Sequence, residues 1–434
     1  MDALRLSRTS PSYARSFSLI WLLAMLGGIA SLAAPSLAKG QPAPDWPQFL
    51  GPNRNGISQE KGLLETWPDG GPKIAWRVKG GVGMSGIAVR GRYAVTMVQS
   101  AGKQWLLALQ ADSGTELWRT ELAPEYRNSM GNGPRATPAL TSTQALAFTG
   151  EGILVAVNLA DGKKQWSRNV VEELGGKSAE YGMASSPLVV GENVLVLVGA
   201  PNASVAAYSL KTGELAWKGG SDPAGYSSPT LLELAGRTQV VVATGASILG
   251  LDPKRGEQLW RFPFETDFYC NTATPVTVAD GLFVSSGENH GCVLLGLEQA
   301  GKKFTVDERW ASLGPKSVLR SEWQTSIAID GYLYGMDNVG AAGPVTHLTC
   351  VKGATGERVW QKLRFGKGNL IAADGKLFCS TMEGELVVVR ATPKGYEELG
   401  RMSVLGPTRQ SAALAQGRLF LRDDAEIVCV DVRK

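Results

Sequence analysis

Trp76, Trp118, Trp166, Trp217, Trp260, Trp310 and Trp360 are spaced by 42, 48, 51, 43, 50 and 50 residues, and most of them end the same short phrase. VNLADGKKQW (157–166), YSLKTGELAW (208–217), LDPKRGEQLW (251–260) and VKGATGERVW (351–360) each join an apolar strand, a polar turn with Gly, three residues and Trp. LLALQADSGTELW, ending at Trp118, fits too; Trp310 closes a looser copy, and Leu399 takes the Trp position 39 residues after Trp360. Self-similarity at a period of roughly 40 to 50 residues marks a repeat architecture, one supersecondary unit copied and stacked. At 434 residues the chain also exceeds what one ordinary hydrophobic core supports, which an array resolves.

Inside each interval a second signature recurs: a small polar residue, often followed by Pro, then alternating residues, a Gly turn and another strand. SSPLVVGENVLVLV (185–198), ATPVTVADGLFVS (273–285), TSIAIDGYLYGM (325–336), NLIAADGKLFCS (369–380) and QSAALAQGRLFL (410–421) show it most clearly. Asp280-Gly281, Asp330-Gly331 and Asp374-Gly375 suit tight hairpins whose two central residues take positive φ. Each interval therefore holds four short antiparallel strands, the arithmetic of a β-propeller blade. Seven full intervals run from Trp76 to Leu399, and the tail 400–434 supplies only three further strands. The missing fourth is available at KIAWRV (73–78), so pairing of the two ends gives an eight-bladed ring with no open edge. Tandem β-sandwiches are the alternative, and they explain neither the recurrent Trp nor the complementary ends.

The seven Trp residues are expected to dock blade on blade, where a large flat ring fills the gap toward the rim and its N–H finds an acceptor. A small residue recurs two places before the polar residue of the turn: Ala156, Ala207, Gly250 and Gly296, with Cys350 and Cys429 in the same register. Those cysteines read as small buried hydrophobes. Cys270, Cys292 and Cys379 complete a set of five, too few and too scattered for a disulfide scaffold and matching no zinc spacing.

Residues 1–38 read as a secretory signal peptide: Arg5, Arg8 and Arg15 precede an apolar run from Phe17 to Ile29, and Ser36-Leu37-Ala38 offers a cleavage site. Gly27, Gly28, Ser31 and Pro35 cut that run short of the roughly 20 residues a membrane anchor needs, which is the competing reading. No cysteine precedes Cys270, so no lipid attachment is expected at the new N-terminus, and the mature chain is expected to be exported to the periplasm or beyond, without stable membrane insertion. Removing Arg5, Arg8, Arg15 and Asp2 from 44 basic and 40 acidic residues leaves 41 and 39, a net of +2 that predicts no nucleic-acid partner. With only His290 and His347 present, a His-rich metal site is excluded and no metal is expected.

These features resemble the pyrroloquinoline quinone (PQQ)-like repeat family, eight-bladed propellers whose repeat ends Asp-x-x-Thr-Gly-x-x-x-Trp; the resemblance covers residues 72–434. The Pro/Gly-rich segment 39–71 opens with DWPQFLGPNRNGIS (45–58), similar to the segment preceding many exported members. Trp46 and Phe49 are expected to dock on the ring, a flexible leader being the alternative. The resemblance implies one of two functions, and fold cannot choose between them. One branch is dehydrogenases that oxidise alcohols or sugars with PQQ and calcium at the channel mouth; the other, resembling the outer-membrane assembly propeller, is a non-catalytic binding platform. For the dehydrogenase, hard oxygen ligands, an Asp base and an aromatic floor are required, and Glu180, Asn271, Asp337 and Trp323 are the candidates nearest to those roles. No cysteines are adjacent and no motif fixes the four, each of which reads equally as a solvated loop residue or, for Trp323, as packing between blades. The expectation is therefore a monomeric, non-catalytic propeller with no cofactor that binds a protein or other envelope ligand, with the PQQ- and calcium-dependent dehydrogenase as the alternative.

In a four-strand blade, the loops entering the first strand and those joining second to third lie on one face. The entering loops are long at 121–135, 170–185, 263–272 and 313–325 and bring Tyr126, Arg127, Arg135, Tyr181, Tyr269, Glu322 and Trp323, types that dominate interface hot spots. Glu288, His290 and Asp337 join them from the second-to-third loops. The turns of the opposite face are minimal and offer a ligand little.

Overall fold

A computed structural model describes residues 44–340 and 343–434; the signal-peptide reading of 1–38 lies outside them. The alternating apolar runs form eight four-stranded antiparallel sheets. Seven are continuous, at 87–124, 139–169, 188–219, 230–263, 276–313, 327–362 and 368–403, and are called blades 1 to 7. Blade 8 takes three strands from 413–431 and its fourth, Ile74–Lys79, from the start of the ring, with Trp76 paired to Cys429. The ring is closed by both ends. Among the described residues the sole α-helical segment is the single turn Val170–Glu173.

Each fourth strand is bulged at the residue before its Trp, as between Ala108 and Leu109 opposite Trp118 and Glu116, so the indole turns toward the next blade. There it lies on the turn glycine: a Cβ on Gly114, Gly162 or Gly213 would come within 2.7 Å of the Trp76, Trp118 or Trp166 ring. These glycines also hold φ near 70°, so the turn and the packing both require them. The indole N–H groups of Trp76, Trp118, Trp166 and Trp310 donate at 2.9 Å to Ala111, Leu159, Leu210 and Gly353 carbonyls of the neighbouring blade, and Trp360 donates to Thr392 at 2.8 Å. Trp217 packs on Gly256 in the same way. Ala156, Ala207, Gly250, Cys350 and Cys429 stand directly opposite a Trp.

Three registers differ from the sequence reading. In blade 5 a long hairpin, Gly291–Ala300 with Lys303–Leu313, replaces the Asp-Gly-Trp turn; Leu294 faces Trp310 and Gly296 faces Asp307. With no turn glycine to lie on, Trp260 of blade 4 folds onto its own Gly250 and donates to Gln239 Oε1 at 2.6 Å. The hairpin expected at Asp280-Gly281 turns at Ala279-Asp280 (φ 48° and 56°), with Gly281 already paired to Val278, whereas Asp330-Gly331 and Asp374-Gly375 turn as expected. In blade 7 the bulged residue is Leu399, so Gly400 holds the Trp position, opposite Val388. An indole still fills that place: a Cβ on Gly400 would lie 2.6 Å from Trp67, whose backbone N–H donates to Leu399 O at 3.2 Å while its indole nitrogen has no partner. Blade 8, split between chain ends, has no third-to-fourth turn there, and residues 63–67 cover the gap, Leu64 N donating to Val432 O at 2.8 Å.

The small hydroxyl before each first strand fastens neighbouring blades. Backbone N–H groups of Gly86, Thr137, Ser186 and Thr274 donate to the hydroxyls of Thr137, Ser186, Ser228 and Thr325 in the next blade, at 2.9–3.2 Å. Amides continue this belt, Asn369 donating to Arg409 O and Gln410 to Gly83 O.

Residues 44–67 form an arm. Trp46 pairs with Val89 of blade 1, Leu140 N of blade 2 donates to Pro47 O, and Ile57 bridges Ala372 of blade 7. All three partners lie on first strands, each the free edge of its sheet. Gly56 packs on Ile327 of blade 6, and Arg54 donates to Ser186 O, Pro187 O and Pro229 O of blades 3 and 4. On a ring, only the central channel adjoins so many blades, so the arm occupies the channel. Trp46 is buried and Phe49 half-buried. Arg54 is 3% exposed, and burial pushes its guanidinium down to about 9. No carboxylate pairs with it among the described residues; Gln48 Oε1 and main-chain carbonyls accept its hydrogen bonds. On the short-turn face the arm is tied by Asp45 to Gly91 N, Glu60 to Gly417 N and Asp374 to Leu63 N. Those minimal turns therefore have a ligand, and it is the chain itself.

Candidate functional site

The long loops at the other end of the channel divide into fastened and presented residues. Arg135 is fastened: 8% exposed, it donates at 2.7 Å to the carbonyls of Gly133 and Gly131 and stacks 4.8 Å above the Tyr126 ring. Burial lowers its pKa. Tyr126 is half-buried between that guanidinium and the backbones of Gly150 and Gly182. Arg127 is exposed and paired with Glu125 at 2.8 Å. Tyr181 stacks on Tyr226 with 5.8 Å between centroids, and its N–H donates to the Tyr226 hydroxyl.

Asp337, Asn271 and Glu322 are buried, so the alternative reading of them as solvated loop residues does not hold. Both Asp337 oxygens accept from the Arg320 guanidinium, at 2.8 and 2.9 Å, and Oδ1 also accepts Arg320 N. Asn271 donates at 2.8 Å to Thr244 O and Phe264 O, fixing the base of loop 263–272, while its Oδ1 has no partner. Glu322 pairs with Lys367 at 2.5 Å and accepts from Asn338; burial still holds its carboxyl above the usual range. Trp323 is half-buried between the Lys367 ammonium, 4.1 Å from its ring, and the Arg409 guanidinium, 5.1 Å away. Glu180 is exposed, on the loop before blade 3. His290 lies edge-on to Phe264 with centroids 4.4 Å apart, and burial lowers its pKa.

Glu322 and Trp323 thus share a cluster with Lys367 and Arg409, two cations the sequence reading does not single out. Glu180, Asn271 and Asp337 each have separate surroundings. Calcium needs several oxygens free to converge, but Asp337 is saturated by Arg320, and among the described residues no three His, Cys, Asp or Glu side chains are grouped to hold an ion. These residues do not fit a calcium–quinone site. All five cysteines are free.

The presented residues are apolar. Phe268 at 64%, Leu363 at 63% and Leu313 at 56% are the most exposed large hydrophobics among the described residues. Each stands at or just past the end of a fourth strand, in blades 4, 6 and 5, and so on the long-loop face. Tyr269 is 44% exposed beside Phe268, both in the left-handed region at φ 56° and 57°. Sequence reasoning finds Tyr269 and misses the other three; position after a Trp strand does not separate them, since Phe264 directly follows the blade 4 strand and is 5% exposed.

The family profile described as outer membrane protein assembly factor BamB matches residues 72–181 and 102–362. No curated protein matches the chain. Among solved structures, the quinohemoprotein alcohol dehydrogenase from Comamonas testosteroni superposes with a TM-score of 0.65 at 14% identity, over 90% of this chain and 81% of that one. BamB from Moraxella catarrhalis gives 0.56 at 15% identity, over 83% and 97%. The computationally designed Ika8 protein gives 0.54 at 10% identity, over 87% and 99%. At such identities the likeness is one of fold alone. A dehydrogenase, an assembly factor and a designed protein share one architecture, so function must be argued from the faces of the ring.

Proposed function

Because the chain belongs to the PQQ-like repeat family described as outer membrane protein assembly factor BamB, we propose that it is a non-catalytic propeller of the cell envelope that captures a protein on its long-loop face. One observation carries this reading: the channel is filled from the short-turn side by the arm, while Phe268, Leu313 and Leu363 form an exposed apolar arc on the other side. Solvent-facing Phe and Leu contribute nothing to blade packing, and apolar exposure on one face is how a protein interface presents itself. Export through the leader 1–38 belongs to the same proposal, as does a monomeric ring. No helix of the described residues is long and apolar enough to cross a membrane.

The proposal includes no quinone. What supports this is the closure of Asp337 by Arg320 and the engagement of Asn271 with main-chain carbonyls. The test is to reconstitute the purified protein with PQQ and calcium, remove excess, and record the absorption spectrum together with dye-linked alcohol oxidation. The expected result is no retained chromophore and no turnover. Stoichiometric quinone with turnover, lost on Asn271→Ala, would replace the platform by the dehydrogenase.

A further inference from the structure

A groove of about 640 Å³ runs along the long-loop face beside blade 3. One wall is the loop 175–180 with Lys177 and Glu180; the other is Phe268 and Tyr269; Pro201, Pro223 and Tyr226 lie between. We propose that this groove docks an extended segment of the partner that carries Lys or Arg side chains. The inference rests on the platform reading and specifies the chemistry of its ligand.

Three observations converge. First, the groove offers rings and prolines rather than an apolar pit, the surface that takes an extended or polyproline-like backbone. The Tyr226 hydroxyl is tied to Tyr181 N, and the Tyr181 and Tyr226 rings are stacked, so this wall is rigid before any ligand arrives. Second, Phe268 and Tyr269 are held outward at an energetic cost. Two consecutive non-glycine residues sit in the disfavoured left-handed region, and the loop is retained in that shape by Asn271, bound through its side chain to Thr244 and Phe264 and through its carbonyl to Tyr226 N. That anchoring leaves Phe268 64% and Tyr269 44% exposed to solvent.

Third, carboxylates outnumber cations around the groove. Glu180, Asp267 and Glu288 form no ion pair among the described residues, and Lys177 is the sole cation in the lining. The neighbouring Cys270 thiol is pushed up to about 11, by burial first and then by Glu288, Glu180, Glu322 and Asp267. Tyr181 is raised by burial, Glu180, Cys270 and Glu288 in turn. Aromatic faces ringed by unpaired carboxylates favour cations, through the ring quadrupole and through plain Coulomb attraction. A second sector of the same face, which meets the groove where Tyr126 packs on Gly182, has its rings already capped by the chain's own cations: Lys367 and Arg409 enclose Trp323, and Arg135 covers Tyr126. The groove's rings have none. A partner segment bearing Lys or Arg supplies what the second sector already contains.

The test uses the full mature chain and two fluorescent octapeptides, alternating Lys-Pro and alternating Glu-Pro, followed by fluorescence polarisation at low salt. The Lys-Pro peptide is expected to bind and the Glu-Pro peptide not to. Phe268→Ala and the charge reversal Glu180→Lys should each weaken the Lys-Pro complex about tenfold, a loss of ~1.4 kcal/mol. Both variants should melt as the parent does. Equal binding of the two peptides, or Lys-Pro binding that neither variant alters, would overturn the proposal. The platform reading fails separately: protein capture in the envelope that is lost on Leu363→Ser but untouched by Phe268→Ala and Glu180→Lys sinks the groove and spares the platform. Groove binding without any captured protein does the reverse.

Discussion

The two ends of the channel are built from the same eight repeats and end up opposite in character. At the short-turn end, Asp374, Gly91 and Gly417 bind the arm; along the channel Trp46 and Ile57 pair with first strands, and Arg54 reaches the carbonyls that precede the first strands of blades 3 and 4. At the long-loop end, Phe268, Leu313 and Leu363 have nothing against them. A free strand edge invites pairing with another chain, and here the chain pairs its own inner edges in three blades. The most exposed of the large hydrophobics lie on one face, and that asymmetry, rather than any single residue, argues for where a partner binds.

The largest effect should come from removing the structure that seals one end. Deleting residues 39–80 takes away the arm and the strand Ile74–Lys79, leaving blade 8 three-stranded; aggregation is expected in size-exclusion chromatography. A truncated chain that stays monomeric and melts unchanged would break both the closure and the comparison. Arg54→Ala is expected next. It strips donors from Ser186, Pro187 and Pro229 carbonyls buried in the channel, a loss of about 2–4 kcal/mol in denaturant unfolding. An unaltered midpoint would mean that the arm merely rests in the channel. The smallest effect is expected at the other end: Phe268→Ser should shift stability by no more than ~0.5 kcal/mol, because the side chain is 64% exposed. A clear destabilisation there would show Phe268 to be a packing residue and remove it from the interface.

Much of the ring is legible in the sequence, for a physical reason. Strand faces alternate with period two, the Trp demands a turn glycine in the next blade, and both ends of blade 8 display complementary strands, so blade number and closure follow from spacing. The slips at Gly296, Gly281 and Leu399 share one cause. Where a blade departs from the common turn, counting from the turn misplaces the register, and the Trp packing reorganises with it, as Trp260 and Trp67 show. The arm is harder to read because its partners are backbone edges and carbonyls, which carry no side-chain signal. Nor does a loop disclose which of its residues it buries. Arg135, Glu322 and Asp337 look like surface chemistry in the sequence and are internal fasteners, whereas Phe268 looks like core and is the most exposed large hydrophobic described.

Site-specific photocrosslinking in the intact envelope tests the central claim most directly. A photoreactive residue would replace Phe268 or Leu363 on the long-loop face, and Asp330 in an exposed turn of the opposite face. The account predicts a discrete protein adduct from positions 268 and 363 and none from 330. An adduct from 330, with positions 268 and 363 silent, would contradict it.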